Sequence, residues 1–292
     1  MRFKMKLAVM IGMMLACAAS QSFGDYVSVV QADNPLGYWR LGENGSGNGD
    51  AAVNIGSVGA TGNGLYKAGV TEGVAGALVG DPNTAVYLDG SAFGGSPNGG
   101  LTPRVDIPLS PFNLTTFSVE LWARVTGGQG SYRGVLANRA IASEGFVIYA
   151  AGNNQWQLWA NGGNANSSIL PASGADVVLN EWAHLVGTFD DATDTVKFYL
   201  NGQLVGSKTG ATYTAPTIAA SYPVLRAGNG YASSVTTQFP FLGDVDELAF
   251  YGDVLTLEEV QAHYAAGVVP EPGSIVLLLI AGTVPLLARR RA

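Results

Sequence analysis

The chain has 292 residues, a formal net charge of −7 and one cysteine. Six of its 15 basic residues lie in the two terminal segments, so nine basic residues stand against 22 acidic ones in the body of the chain. Such a body lacks the basic patches that bind nucleic-acid backbones, which excludes nucleic acid as a partner. The cysteine, Cys17, lies in the N-terminal segment, so the body has neither disulfide nor thiol chemistry.

The first 24 residues have the pattern of a secretory signal peptide. Three basic residues among the first six precede the apolar stretch Leu7–Ala19, which is shorter than the ~20 residues that span a membrane. Small residues place the cleavage point after Ala18 or Gly24. The pattern predicts export and removal of residues 1–24.

The body of the chain has the pattern of many short strands. Glycine is abundant, with 40 residues in the chain, and Phe117–Val125 alternates apolar and polar positions. Asn201-Gly202 within Thr195–Ser207 predicts a hairpin, because both residues accept the positive φ of a type I′ turn. Further strands are predicted at Tyr38–Leu41, Ala85–Leu88, Gly145–Tyr149, Gln155–Ala160, Trp182–Phe189, Val224–Ala227 and Phe241–Tyr251.

Helix signals are few. Thr256 and Glu259 form a capping box, which predicts a helix that ends near Gly267. A smaller helix is predicted over Asp25–Ala32. Ten or more strands with so little helix predict an all-β domain over residues 25–267, a two-sheet antiparallel jelly-roll sandwich with one short C-terminal helix.

Several blocks resemble LamG-like, concanavalin A-like jelly-roll domains, in family order. They are Asn34-Pro-Leu-Gly-Tyr-Trp-Arg-Leu-Gly-Glu43, Tyr87-Leu-Asp-Gly90, Phe117-Ser-Val-Glu-Leu-Trp122, Glu181-Trp-Ala-His-Leu-Val-Gly-Thr-Phe189, Phe198-Tyr-Leu-Asn-Gly202 and Gly243-Asp-Val-Asp-Glu-Leu-Ala-Phe-Tyr251. The resemblance implies the jelly-roll fold. It does not imply one activity, because the family includes lectins, adhesion modules and hydrolases.

Catalytic motifs are missing from the sequence. Laminarinase-type hydrolases of this fold carry alternating acids on one strand, whereas Glu120 is followed on its face by Trp122. His184 is interpreted as structural, and His263 is expected at a solvated position on the C-terminal helix. No catalytic residue is assigned, and a non-enzymatic function is predicted; the alternative is a glycoside hydrolase or lyase with an unrecognised active site.

Calcium is the cofactor that the resemblance implies. Many domains of this fold hold one structural Ca²⁺ where the first and last strands meet, with an Asp of the closing strand as ligand. Asp246 matches that position, and Asp89 and Glu43 are candidate companions, since Ca²⁺ binds carboxylate and carbonyl oxygens. The alternative is that Asp246 ends a strand and Asp89 makes a turn.

Sugar binding would require exposed aromatic rings. Trp156 and Trp159 are three residues apart, so in a strand they point to opposite faces and only one can be exposed. Tyr231, in a Gly-Asn-Gly-Tyr stretch, is a third candidate. The alternative for each is a packing role.

The C-terminal segment, residues 268–292, combines three ordered features: Pro270-Glu271-Pro272, a short apolar stretch, and Arg289, Arg290 and Arg291. This combination resembles the PEP-CTERM sorting signal of Gram-negative bacteria. The resemblance implies a membrane-inserted tail and processing by an exosortase, often alongside exopolysaccharide production. The alternative is a plain membrane anchor with the arginines on the cytoplasmic side.

These observations together predict an exported, non-catalytic protein of the cell surface or extracellular matrix that binds glycan or exopolysaccharide. A module that binds another protein for adhesion is a further alternative.

Overall fold

The computed structural model describes residues 25–67, 69–90, 102–139, 141, 143–162, 164–170, 174–217, 224–230 and 239–268. The predicted signal peptide and the sorting residues Pro270, Glu271, Pro272, Arg289, Arg290 and Arg291 lie outside these ranges and stay predictions. No helix within these ranges is long and apolar enough to cross a membrane.

Two antiparallel sheets of eight strands face each other, which confirms the predicted sandwich. Sheet 1 has the order β14-β13-β12-β7-β16-β5-β4, and β1 also pairs with β16. Its strands are β1 (Gly37–Trp39), β4 (Thr71–Ala75), β5 (Thr84–Asp89), β7 (Phe117–Val125), β12 (Trp182–Asp190), β13 (Thr195–Leu200), β14 (Gln203–Thr209) and β16 (Leu242–Tyr251).

Sheet 2 has the order β11-β10-β9-β8-β15-β6-β3-β2. Its strands are β2 (Ala51–Ala52), β3 (Gly64–Lys67), β6 (Arg104–Pro108), β8 (Arg133–Ala137), β9 (Phe146–Ala150), β10 (Trp156–Gly162), β11 (Asn164–Leu170) and β15 (Val224–Ala227). Two short 3-10 helices, Gly59–Gly62 and Ser110–Phe112, lie in the connections.

The inner faces of the two sheets bury one apolar core. Val119 and Leu121 reach it from sheet 1, and Ile148 and Leu158 reach it from sheet 2, all at most 2% exposed. Each such side chain contributes about 1.5–3 kcal/mol when it is removed from water. The core therefore fixes which side of every strand points outward, and the outward sides differ between the two sheets.

Two α-helices complete the described structure, α1 (Tyr26–Ala32) and α2 (Leu257–Val268). The predicted capping box is confirmed, because Thr256 N donates to the Glu259 carboxylate and Glu259 N donates to the Thr256 hydroxyl. The predicted Asn201-Gly202 hairpin is confirmed as well, with φ of 51° and 74° at the two turn residues.

Six strands were not predicted from the sequence: β2, β3, β4, β6, β8 and β11. For β8, a structural irregularity explains why the sequence pattern did not predict the strand. A bulge between Gly134 and Leu136 breaks its pairing with β9, so the apolar residues do not alternate as they would in a regular strand.

Candidate functional site

The outer face of sheet 1 is covered by the two helices. Trp122, Val186 and Tyr251 point outward from this sheet and are at most 2% exposed. They form a second apolar cluster with Val30 of α1 and Val260 of α2. This face is therefore interior, and a large ligand cannot reach the residues beneath the helices.

Charged residues are also buried under the helices. His263 of α2 places Nδ1 2.8 Å from Glu120 Oε2 and Nε2 2.8 Å from Asp33 Oδ2. Tyr251 donates to the other Glu120 oxygen at 2.7 Å, and His184 Nε2 lies 3.4 Å from Glu120 Oε2. The prediction that His263 is solvated was wrong, because α1 and α2 close over it and leave it 0% exposed. The assignment of His184 as a packed residue agrees with its complete burial.

The ion pair between Glu120 and His263 shifts the pKa of both side chains. Burial alone would lower the pKa of His263, but Glu120 and Asp33 raise it to about 9. Burial would raise the pKa of Glu120, but His263 and His184 hold it well below its ordinary value. A charged pair of this kind joins α2 to β7 beneath the surface, where it holds the helix in place.

A second set of interacting polar side chains joins β1, and Arg40 directly after it, to β16. The Tyr38 hydroxyl and the Arg40 guanidinium both donate to Glu247, the latter at 2.8 Å, and Arg40 also pairs with Asp81 at 2.6 Å. Glu247 has a φ of 50° at a bulge of β16. Burial and the nearby carboxylate of Asp81 raise the pKa of Glu247, while Arg40 and Tyr38 oppose the rise. These hydrogen bonds and ion pairs hold β16, the last strand, against β1, the first strand.

The three predicted calcium ligands are not brought together. Asp89 pairs with Leu242, which is four residues before Asp246 on β16 and hence roughly 13 Å away along an extended strand. Asp246 accepts from the backbone N–H of Ala77 and Glu247, both about 3 Å away. Glu43 accepts from Val53 N at 2.8 Å and from the Tyr66 hydroxyl.

No group of three or more His, Cys, Asp or Glu side chains positioned for a metal ion occurs among the described residues. These three carboxylates therefore do not fit one calcium ion as a set. Calcium binding by the protein stays a prediction, which melting curves in EDTA and in millimolar Ca²⁺ would test.

The two tryptophans of β10 point to opposite sides, as their spacing predicts. Trp156 is 1% exposed in the core between the sheets, so its assignment as a ligand residue is wrong. Trp159 lies on the outer face of sheet 2 and is half-buried. Tyr231 lies outside the described residues.

Trp159 belongs to an aromatic cluster on this outer face. Tyr132, Tyr149 and Trp159 pack edge to face with centroids 5.2–5.6 Å apart, and Phe239 contacts both tyrosines at 5.7–5.9 Å. Tyr132 and Phe239 remain 38% and 37% exposed, whereas Tyr149 is buried beneath them. Phe239 has a φ of 58°, which a bulky residue rarely adopts. The cluster presents three partly exposed rings at the outer surface of sheet 2.

Polar groups border this aromatic cluster. The Arg139 guanidinium carbon lies 5.8 Å from the Trp159 ring centroid, and Trp159 Nε1 donates to Gln157 Oε1 at 2.9 Å. Arg139 and Gln157 are only 4% and 8% exposed, so they position the Trp159 ring. Partly exposed rings that offer a flat apolar surface can stack on a sugar ring. Among the described residues, no α-helix packs on this face.

Tyr132, Tyr149, Phe239 and Arg139 were missed as candidates by sequence reasoning. Tyr149 could have been found, because Phe146, Ile148 and Ala150 point inward on β9 and leave it outward. The other three lie at strand ends or in connections, where periodicity gives no orientation.

Comparison with known proteins supports the same fold. The family model described as the concanavalin A-like lectin/glucanases superfamily, Laminin_G_3, matches residues 98–261. A comparison with curated protein sequences gave no match.

Similar solved structures include domain 4 of AbnA, a GH43 extracellular arabinanase from Geobacillus stearothermophilus, in complex with arabinotriose. It is 18% identical with a TM-score of 0.54, and the match covers 79% of this chain and 98% of that domain. The binding domain of Paraclostridial Mosquitocidal Protein 1 is 14% identical with a TM-score of 0.55, over 80% of this chain and 52% of the other.

Trypanosoma rangeli sialidase in complex with sialic acid is 14% identical with a TM-score of 0.52, over 79% of this chain but only 32% of the sialidase. At these identities the likeness shows the fold. Since the family model spans more than half of the chain, the protein belongs to the concanavalin A-like lectin/glucanase superfamily.

Proposed function

We propose that this protein is an exported, non-catalytic component of the cell surface or extracellular matrix that binds a polysaccharide on the outer face of sheet 2. The observation that carries the proposal is the cluster of partly exposed rings formed by Tyr132, Trp159 and Phe239. The similar arabinanase domain, which was solved with arabinotriose, supports a saccharide as the ligand.

The scarcity of carboxylates on the described strands of sheet 2 favours ligand binding over hydrolysis as the function of this face. Glycosidases generally use two carboxyl groups that flank the scissile bond. The strands of sheet 2, as described, contribute one carboxylate, Asp106, and the guanidinium groups of Arg104 and Arg226 hold it at 2.6–3.1 Å. The alternative, a glycoside hydrolase or lyase, predicts release of reducing sugar from a polysaccharide by the purified protein.

Retention of the full-length chain on immobilised polysaccharides tests the proposal. We expect Trp159→Ala to lose retention, because the ring that stacks on the sugar is removed. Trp182→Ala is the matched control, since Trp182 is also half-buried but lies on sheet 1 under Arg124. Equal retention of the two variants would place binding elsewhere, and no retention of the wild type would leave a structural matrix role.

Export and sorting are part of the same proposal. Residues 1–24 would direct secretion, and residues 268–292 would insert into the membrane and be processed by an exosortase. Deletion of residues 268–292 should release the protein into the medium. Cell fractionation measures this, and unchanged association with the cell envelope would contradict the sorting role.

A further inference from the structure

Both ends of the described body lie over the same tryptophan of sheet 1. Tyr26, at the start of α1, packs its ring edge to face on Trp122 with centroids 6.3 Å apart. Gly267, near the end of α2, is so close to Trp122 that a Cβ atom there would lie 2.5 Å from the indole ring. The two helices therefore bring the beginning and the end of the body to one place on the outer face of sheet 1.

This place is the middle of the sheet rather than its edge. Trp122 belongs to β7, which has three strands on each side in the order β14-β13-β12-β7-β16-β5-β4. The backbone N–H of Val79 donates to Gly267 O at 3.0 Å. One turn earlier in α2, His263 is held by Glu120 of β7. The end of α2 is thus fixed to sheet 1, on the side away from sheet 2.

The proposed membrane segment follows this point closely. Seven residues lead from Val268 to Ile275, where the apolar stretch of the tail begins, and a chain of that length spans at most about 25 Å. A compact domain of roughly 240 residues has a radius of gyration of about 18 Å and hence a diameter of about 45 Å. To bring sheet 2 against a bilayer, the connection would have to pass around the domain, and it is too short to do so.

Charge on the helix-covered face opposes contact with an anionic bilayer. Asp25, at the start of α1, and Glu258, in the first turn of α2, are exposed. Neither helix contains lysine or arginine, whereas attraction to anionic headgroups requires basic residues near the lipid surface. The two helices therefore do not attract such a bilayer, and the short connection sets the orientation of the domain.

We infer that the membrane-inserted protein stands with its helix-covered face towards the bilayer and with the aromatic cluster of sheet 2 directed away from it. The two sheets are about 10 Å apart and the helix layer adds about 10 Å, so the cluster lies roughly 20 Å farther from the lipid than α2. The orientation is the same before and after removal of residues 1–24, since both ends of the body lie over Trp122.

This orientation defines the source of the ligand. The site takes a polysaccharide from outside the membrane, not the sugar headgroups of the lipids that hold the tail. The inference rests on the membrane insertion and the glycan binding of the proposed function, and it adds where the bound polymer comes from.

Energy transfer from a donor dye to acceptor lipids measures the two depths. Cys17→Ala leaves the chain without cysteine, so the dye can be attached after Gln261→Cys on α2 or Ile169→Cys on β11. Both positions are exposed, and Ile169 pairs with Trp159 and shares its face of sheet 2. The full-length variants are reconstituted in vesicles of phosphatidylethanolamine and phosphatidylglycerol that contain acceptor-labelled lipid.

We expect transfer from the dye on α2 to be about twofold more efficient than transfer from the dye on β11, because of the difference in depth. The wild type in unlabelled vesicles should bind a soluble polysaccharide as tightly as it does in detergent, since the bilayer leaves the aromatic cluster free. This second measurement needs no variant, and melting curves verify that both cysteine variants fold.

The contrary results separate the orientation from the proposed function. Equal or reversed transfer in vesicles that carry the protein would overturn the orientation and leave membrane insertion and polysaccharide binding in place. Loss of polysaccharide binding on vesicles, when the protein in detergent binds, would overturn it as well. Failure to float with the vesicles would contradict the proposed insertion and the inference with it. Failure to bind any polysaccharide in either state would contradict the proposed glycan binding and with it the inferred source of the ligand.

Discussion

The outer face of sheet 1 lies beneath α1 and α2, whereas no described α-helix packs on the outer face of sheet 2. Both faces carry aromatic and charged residues. On sheet 1, Glu120 and Trp122 are at most 2% exposed, and Glu120 is paired to a helix. On sheet 2, Tyr132 and Trp159 keep part of their rings in solvent. Aromatic rings thus serve folding on one face and stay partly in solvent on the other.

The largest effect is expected for Glu120→Ala on the covered face. This change removes the acceptor of His263 and Tyr251 and leaves a buried imidazolium without its main partner, which costs about 3–5 kcal/mol. Denaturant unfolding at neutral pH measures the loss. Glu258→Ala, at an exposed position in the first turn of α2, should cost less than about 1 kcal/mol. Similar costs for the two variants would contradict the structural role of the buried pair.

Stability should also depend on pH through the covered face. The pKa of His263 is raised from 6.5 to about 9 in the folded protein. A raised pKa gives stability that is complete below pH 6.5 and is lost as pH rises through about 9. The loss amounts to up to about 3 kcal/mol.

Unfolding free energies at pH 6.5 and 9.5 measure this dependence. His263→Gln should be less stable than the wild type at pH 6.5 and should show a smaller decrease towards pH 9.5. Trp159→Ala, on sheet 2, should keep the slope of the wild type. A wild-type stability that does not fall over this range would show that the pair is not charged.

The smallest effect on stability is expected for Tyr132→Ala. Its ring is 38% exposed and contacts three other rings, so the loss should be about 1 kcal/mol, while retention on polysaccharide should fall sharply. Tyr264→Ala on α2 is the counterpart, since its ring stacks on Trp122 at 5.9 Å. It should lower the melting temperature and leave retention unchanged. The reverse pattern would mean that the two faces have been assigned the wrong way round.

Local patterns determined much of the fold. The alternation in Phe117–Val125 placed its apolar residues on the inner side, and the capping box located the start of α2. These features depend on residues close in sequence, whose geometry follows from backbone periodicity and short-range hydrogen bonds. Strands with bulges, such as β8, were not predicted from the sequence, because one extra residue moves the following side chains to the other face of the sheet.

The sequence by itself determined that the body is a sandwich of antiparallel strands and that Trp156 and Trp159 point apart. Only the tertiary structure decided which of the two is available to a ligand, and that His263 is buried. The aromatic cluster joins Tyr132, Trp159 and Phe239 from distant parts of the chain, and the burial of His263 depends on α1 and α2 meeting over β7. No periodicity encodes these contacts, because they arise from the order in which the strands pair and from what packs on each outer face.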